Sequence, residues 1–303
     1  MPLAQYGLVD NNPANQYNGF VGGNPNLQPE KADTISFGVA LQPRAVPGLR
    51  FLVDWFDIKV DNAVQQPQAD FTLIECGVSG DPTACGRVHR DANGSLLTQT
   101  GYVQDLFTNI GQLRTRGIDV DAGYRFGIGS FGNLAFSLIA THLNKYEVTP
   151  QVGITYNCVG LYGPVCSSTG SGTGQPTPED RFTLGAHWQT PYRGLDVGLA
   201  MRYMSSVKLE TSGSNPFLSQ IGAIVGLPAT DLRLGSRSYL DLSASMNVTE
   251  KIRARFGANN LLDKDPPING GNACPAGPCN GNTWPTFYDA TGRFIFFNVS
   301  AEF

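Results

Sequence analysis

The groups in this 303-residue chain able to do chemistry are six cysteines, three histidines, and carboxylates and arginines dispersed along its length. The cysteines fall as three short-range pairs, Cys76 with Cys85, Cys158 with Cys166 and Cys274 with Cys279, each within one polar stretch. Many connectivities are open to six cysteines, but neighbour pairing closes the shortest loops at the least entropic cost and is the expected one. Metal is the weaker use of these thiols. His89 is the one histidine close to a pair, and neither a CxxC spacing nor a second histidine accompanies it. Oxidised pairs go with an exported protein. His89, His142 and His187 are scattered, and no nucleophile or paired carboxylate converges on any of them, so no catalytic residue and no cofactor is expected. The string Gly127-Ile-Gly-Ser-Phe-Gly132 has the GxGxxG form of a dinucleotide site, which needs a following helix. Strand-like alternation resumes at Asn133, so the string reads as a glycine-rich turn. Asp263 and Asp265 are too few for calcium, which takes about six to eight oxygens, and read as turn residues.

The elements that must position these groups are strands. Nine stretches alternate apolar and polar residues on a two-residue period: 35–41, 49–55, 118–125, 133–141, 181–188, 195–202, 240–247, 252–259 and 294–303. Each is close to the roughly 9 to 11 residues that cross a bilayer as a tilted strand. No apolar run reaches the roughly 20 residues of a spanning helix, and the mean hydropathy is slightly negative, as strands with one wet face require. Alternation also suits a soluble sandwich. The connections decide between the two. Short links (42–48, 127–132, 190–194, 248–251) alternate with long ones rich in Gly, Ser, Asn, Pro and Cys (61–107, 148–179, 210–236, 263–289). Tight turns at one end and long loops at the other are the plan of an outer-membrane barrel. A net charge of −4 with dispersed Lys and Arg leaves no footprint for nucleic acid.

This plan puts all three cysteine pairs in extracellular loops and the last residue, Phe303, at the periplasmic side. Trp188, Tyr192, Tyr124, Phe126 and Phe131 gather near the short turns, as an interfacial aromatic belt would. Asp119, Asp121, Arg125, Asp196, Arg202, Asp241, Arg253 and Arg255 lie on the polar faces and project inward, chiefly as cross-strand ion pairs. Four loop aromatics, Tyr156, Tyr162, Phe217 and Trp284, are the candidate substrate contacts, expected to be exposed. Pinning their own loops is an equally good use for them.

Several segments resemble the barrel domain of TonB-dependent outer-membrane receptors. Gly22 to Val39, GGNPNLQPEKADTISFGV, is similar to that family's Asn-Pro-x-Leu-x-Pro-Glu approach to a descending strand. Asn109 to Phe126, NIGQLRTRGIDVDAGYRF, looks like its Arg-x-Gly-(Ile/Val)-(Glu/Asp) strand, and Asn260-Leu-Leu-Asp263 like its last-loop signature. Tyr288 to Arg293 with the terminal strand resembles its C-terminus. The resemblance implies a barrel of about 22 strands around a plug, with TonB-dependent uptake of a scarce bulky nutrient such as a siderophore, cobalamin or oligosaccharide. It also implies outer-membrane lipid as surroundings, and assembly machinery that reads the terminal aromatic, here Phe303. TonB would be met through an N-terminal region that this chain does not show. The expected fold is therefore all-β, an antiparallel up-and-down transmembrane barrel in part, about nine strands of a larger one. Residues 1–303 are expected to form the C-terminal portion of that barrel domain, with 1–30 as a loop segment leading into the first strand. No export signal opens the sequence, so the mature start is expected upstream. A small self-contained barrel serving as an adhesin or structural porin is the alternative.

Overall fold

The computed structural model describes residues 17–67, 69–109, 111–151, 154–163, 165–166, 174–213, 215, 218, 232–269 and 279–302. Its frame is a ten-stranded antiparallel sheet whose path runs through nine strands in sequence order. These are β1 (Lys31–Leu41), β2 (Leu49–Asp61), β3 (Gln112–Gly127), β4 (Asn133–Gln151), β5 (Asp180–Gln189), β6 (Asp196–Met204), β7 (Arg237–Asn247), β8 (Ile252–Asn259) and β9 (Phe294–Ala301). The tenth, Ile154–Asn157, doubles back on β4. All nine alternating stretches of the sequence are strands of this sheet. Among the described residues the end strands β1 and β9 do not pair with each other.

Register turns the alternation into two faces. One cross-strand row runs Leu49, Tyr124, Phe136, Ala186, Leu199, Leu242, Ala258, Ile295, apolar through eight strands. On the opposite face Gly38, Asp54, Asp119, Thr141 and Arg181 form a polar row. The apolar side chains are not covered by protein: Phe37 is 71% and Phe297 70% exposed. A face this apolar and this bare excludes a sandwich, whose apolar face would be its core.

The links at one end are tight. Gly48 (φ 86°) and Gly132 (φ 98°) each turn the chain where a Cβ would stand 2.0 Å from a carbonyl oxygen, of Arg125 and of Gln189 respectively. The GxGxxG string is such a turn: a single 3-10 turn, Gly129–Phe131, closed by the Ile128 N–H donating to the Gly132 carbonyl, leads into β4. At the other end β3 and β4 run beyond their neighbours. There β4 carries one extra residue, since Gly117 faces Leu143 while Arg116 faces Lys145. This bulge at Asn144 exchanges the faces of β4, so that Lys145 and Glu147 continue the formerly apolar face while Tyr146 and Val148 turn to the other side.

The protein's apolar core lies in the long loops. Val148, Tyr156, Cys158, Val165, Cys166 and Leu218 form one buried cluster, and Tyr162, Val207, Leu209, Leu234, Cys279, Trp284 and Tyr288 form another. The loop between β2 and β3 holds two helices, α1 (Ala69–Val78) and α2 (Pro82–Gly86), the latter capped by the Asp81 carboxylate accepting from the Ala84 N–H. In front of it, Gly19–Gly22 pairs in parallel with Tyr102–Leu106, so the segment 1–30, read from sequence as a loop, contains a short strand.

Candidate functional site

On the polar face Arg202 of β6 lies between two carboxylates. Its Nε and Nη2 donate to Asp241 of β7 at 2.7 and 3.0 Å, and its Nη1 and Nη2 donate to Asp289 of the last loop at 3.0 and 2.6 Å. Two forked pairs on one guanidinium fix its plane, which also lies over the Tyr239 ring at 5.2 Å. Asp241 Oδ1 further accepts the Asn260 N–H, so the same carboxylate anchors the start of that loop. Asn260 closes the turn through Lys264, and Asp263 accepts the Arg293 N–H at 2.7 Å. The Asn-Leu-Leu-Asp signature thus brackets the loop from both ends, and Asp263 is the turn residue the sequence suggested. Between wall and loop remains a cavity of about 380 Å³ lined by Arg202, Asp241, Asn259, Tyr288, Asp289 and Phe294. Burial pushes the Tyr288 phenol beside it up to about 12.

A second polar hollow, about 330 Å³, lies nearer the tight turns and is lined by His187, Asp196, Ser243, Ser245, Arg253, Arg255, Asn298 and Ser300. His187 lies on the inward face with its Nδ1 3.5 Å from Asp196. Arg253 donates to Ser245 Oγ, and the Arg255 guanidinium lies 5.7 Å over the Phe296 ring. The histidines stay apart: His89 stacks on Tyr102, and His142 pairs with Asp180. Among the described residues no group of histidine, cysteine and carboxylate side chains is arranged to hold a metal ion.

Two of the three expected cysteine pairs are present. Cys76–Cys85 and Cys158–Cys166 are disulfides, Cys279 is also oxidised, and Cys274 lies outside the described residues. The loop aromatics are a correction. Tyr156 is 2% exposed, and Tyr162 and Trp284 are wholly buried, edge to face at 5.5 Å. Folding long loops over a polar wall leaves these rings as the largest apolar surface available to bury, so they take the loop-pinning role that their sequence context left open. Phe217 and Phe303 lie outside the described residues.

Sequence reading missed two features. On the small loop sheet His89 stacks on Tyr102, and Phe20, 54% exposed, lies tilted against the same ring; the strands that align them are only two to five residues long, too short to show a period in the sequence. Glu210 is fully buried between loops, and no spacing in the sequence singles it out. The Asn109 to Phe126 and Gly22 to Val39 motifs, by contrast, meet at the mouth of β1. Asn109 Nδ2 donates to the Gln28 and Asn62 carbonyls, and Glu30 accepts the Val64 N–H.

A sheet bare and apolar on one face, polar on the other, tight at one end and capped by packed loops at the other is the wall of an outer-membrane β-barrel. The family model described as TonB dependent receptor-like, beta-barrel matches residues 2–261, and the chain belongs to that family of outer-membrane receptors. Among curated proteins none matches it. The FrpB iron transporter of Neisseria meningitidis is similar over 94% of this chain and 33% of its own, at 11% identity and TM-score 0.57. The ferric enterobactin receptor PfeA of Pseudomonas aeruginosa is similar over 93% of this chain and 32% of its own, at 14% identity and TM-score 0.56. The ferric-catecholate import receptor Fiu of E. coli K12 is similar over 92% and 29%, at 17% identity and TM-score 0.50. At these identities the likeness is one of fold, and the chain spans about a third of the length of these structures.

Proposed function

We propose that the chain forms wall and extracellular cap of a receptor that imports a ferric chelate of the siderophore type, energised through TonB. The observation that carries this reading is the polar wall roofed by loops: Arg202 joins strand and loop, and hollows of about 380 and 330 Å³ open on the same face. Such a face offers hydrogen-bonding groups to a bulky polar solute while the opposite face meets outer-membrane lipid. The solved structures similar in fold include an iron transporter and a ferric enterobactin receptor, which favours an iron chelate over cobalamin or an oligosaccharide. The contacts with TonB, with the assembly machinery through Phe303, and with the substrate belong to the same proposal.

Uptake tests it. Disrupting the gene in its own bacterium and following radioactive iron supplied as catecholate, hydroxamate or citrate chelates should abolish uptake of one of them under iron limitation. Normal uptake of all three, with cobalamin or oligosaccharide uptake lost, overturns the iron reading.

A further inference from the structure

Glu210 sits where two loops of the cap meet, just after the strand Val207–Leu209, and is 0% exposed. Its Oε1 accepts the Val165 N–H at 3.1 Å and its Oε2 the Cys166 N–H at 2.7 Å. Gly163 (φ 144°) makes room for it, since a Cβ there would stand 2.3 Å from the Glu210 Cδ. The segment it grips is the one closed by the Cys158–Cys166 disulfide, both cysteines fully buried, and it also pairs in register with the glutamate's own strand, Leu161 with Lys208 and Tyr162 with Leu209. The two apolar clusters of the cap lie on either side: Val165 and Cys166 belong to one, Tyr162 and Leu209 to the other. A single carboxyl therefore stitches the 158–166 segment to the 207–213 segment at the seam of the cap.

Among the described residues the surroundings bring no compensating charge. Of the ionisable groups on the elements packed there, Lys208 on the same strand points to solvent, Arg233 on the neighbouring strand donates to Ser206, and Tyr162 and Tyr288 belong to the apolar cluster. Among the described residues two backbone N–H groups are the polar partners of the carboxyl, and a buried carboxylate with no cation beside it is costly.

We propose that Glu210 is a proton-operated clasp of the extracellular cap: neutral, it holds the 158–166 segment shut against 207–213, and ionised, it lets that segment open. Burial pushes the Glu210 carboxyl up to about 7 against the opposing pull of the Cys166 and Val165 N–H groups. The sign follows from linkage. A carboxyl raised in the closed cap binds its proton more tightly there than in the open one. Closure is therefore strongest below the ordinary glutamate range, weakens as pH rises towards 7, and levels off above it. The cap is tight in mildly acidic surroundings and loose above neutrality, whichever solute the receptor takes.

The buried disulfide reports on opening. The folded chain in detergent is treated with tris(2-carboxyethyl)phosphine between pH 5 and pH 8, and reduction of Cys158–Cys166 is followed by mass spectrometry, with oxidised glutathione as the reference for the reagent. The normalised rate should rise at least about tenfold over this range, since every tenfold difference in proton affinity between the closed and the open cap moves their balance by about a factor of ten. In Glu210→Gln, which cannot ionise, the rise should disappear. A flat normalised rate in the native protein overturns the clasp, and this arm needs no variant to fold. An equal rise in native protein and Glu210→Gln assigns the effect to another group and overturns it as well.

Discussion

The sheet and the loop cap are built on opposite principles. In the sheet, Phe37, Ile35, Ile295 and Phe297 are bare, while in the cap Trp284, Tyr162, Leu209 and Val207 are at most 1% exposed. The sheet is held by its ladders and by a solvent of lipid that accepts apolar side chains. The cap stands in water and must carry its own hydrophobic core, two disulfides among the described residues and a buried carboxyl. The difference teaches where stability is vulnerable: the cap answers to the rules of soluble proteins, the sheet to those of the bilayer.

Four substitutions can break or sharpen this contrast. The largest effect is expected for Trp284→Ala, which removes the ring at the centre of the second cluster and should cost the cap about 3 to 5 kcal/mol. Limited proteolysis should then cut between 260 and 293 while the sheet keeps its resistance to heat in detergent; loss of both together would show that cap and sheet fold as one unit. Next comes Phe37→Arg on the apolar face, expected to cost about 2 to 4 kcal/mol in unfolding from lipid vesicles if it lies near the bilayer midplane. The same change in lipid-free detergent should matter far less, and equal costs would remove the lipid-facing assignment. Arg202→Met leaves Asp241 and Asp289 without their shared cation. With side chains a fifth to a third exposed, water softens the loss to about 1 to 2 kcal/mol. It should appear as faster hydrogen exchange in 285–292 rather than in β6, and unchanged exchange there would unseat the strap. The smallest effect, about 1 kcal/mol or less, is expected for Asp263→Ala, which loses the bond from the Arg293 N–H. A shift of several degrees in melting temperature would show that this turn does more than close the loop.

The same contrast explains what the sequence discloses and what it hides. Period-2 alternation is local, so residues such as Ile35 to Leu41 and Phe294 to Ala301 disclose their strands and faces without any partner in view. Neighbouring cysteines likewise disclose Cys76–Cys85 and Cys158–Cys166 through loop length. The cap is non-local. Arg202 meets Asp289 across 87 residues, Glu210 meets Val165 across 45, and nothing in the spacing of either pair announces the meeting. Tyr156, Tyr162 and Trp284 mislead for the same reason: flanked by Gly, Pro and Ser they look like exposed loop rings, and burial comes from strands and loops far along the chain. The Asn144 bulge is hidden because one inserted residue leaves the alternation intact on both sides of it.

That bulge sets a limit on exchanging parts between receptors. Were β4 to pair without the bulge while keeping all its residues, Tyr146 and Val148 would return to the face of Phe136 and Leu138, and Lys145 and Glu147 would turn towards the cluster of Tyr156 and Cys158. The 158–166 loop grafted onto another barrel without the upper half of β4 would arrive with its hydrophobic seat pointing the wrong way. The transplantable module therefore begins at Leu143, well before the loop itself, and a chimera joined at 150 should misfold where one joined at 142 does not.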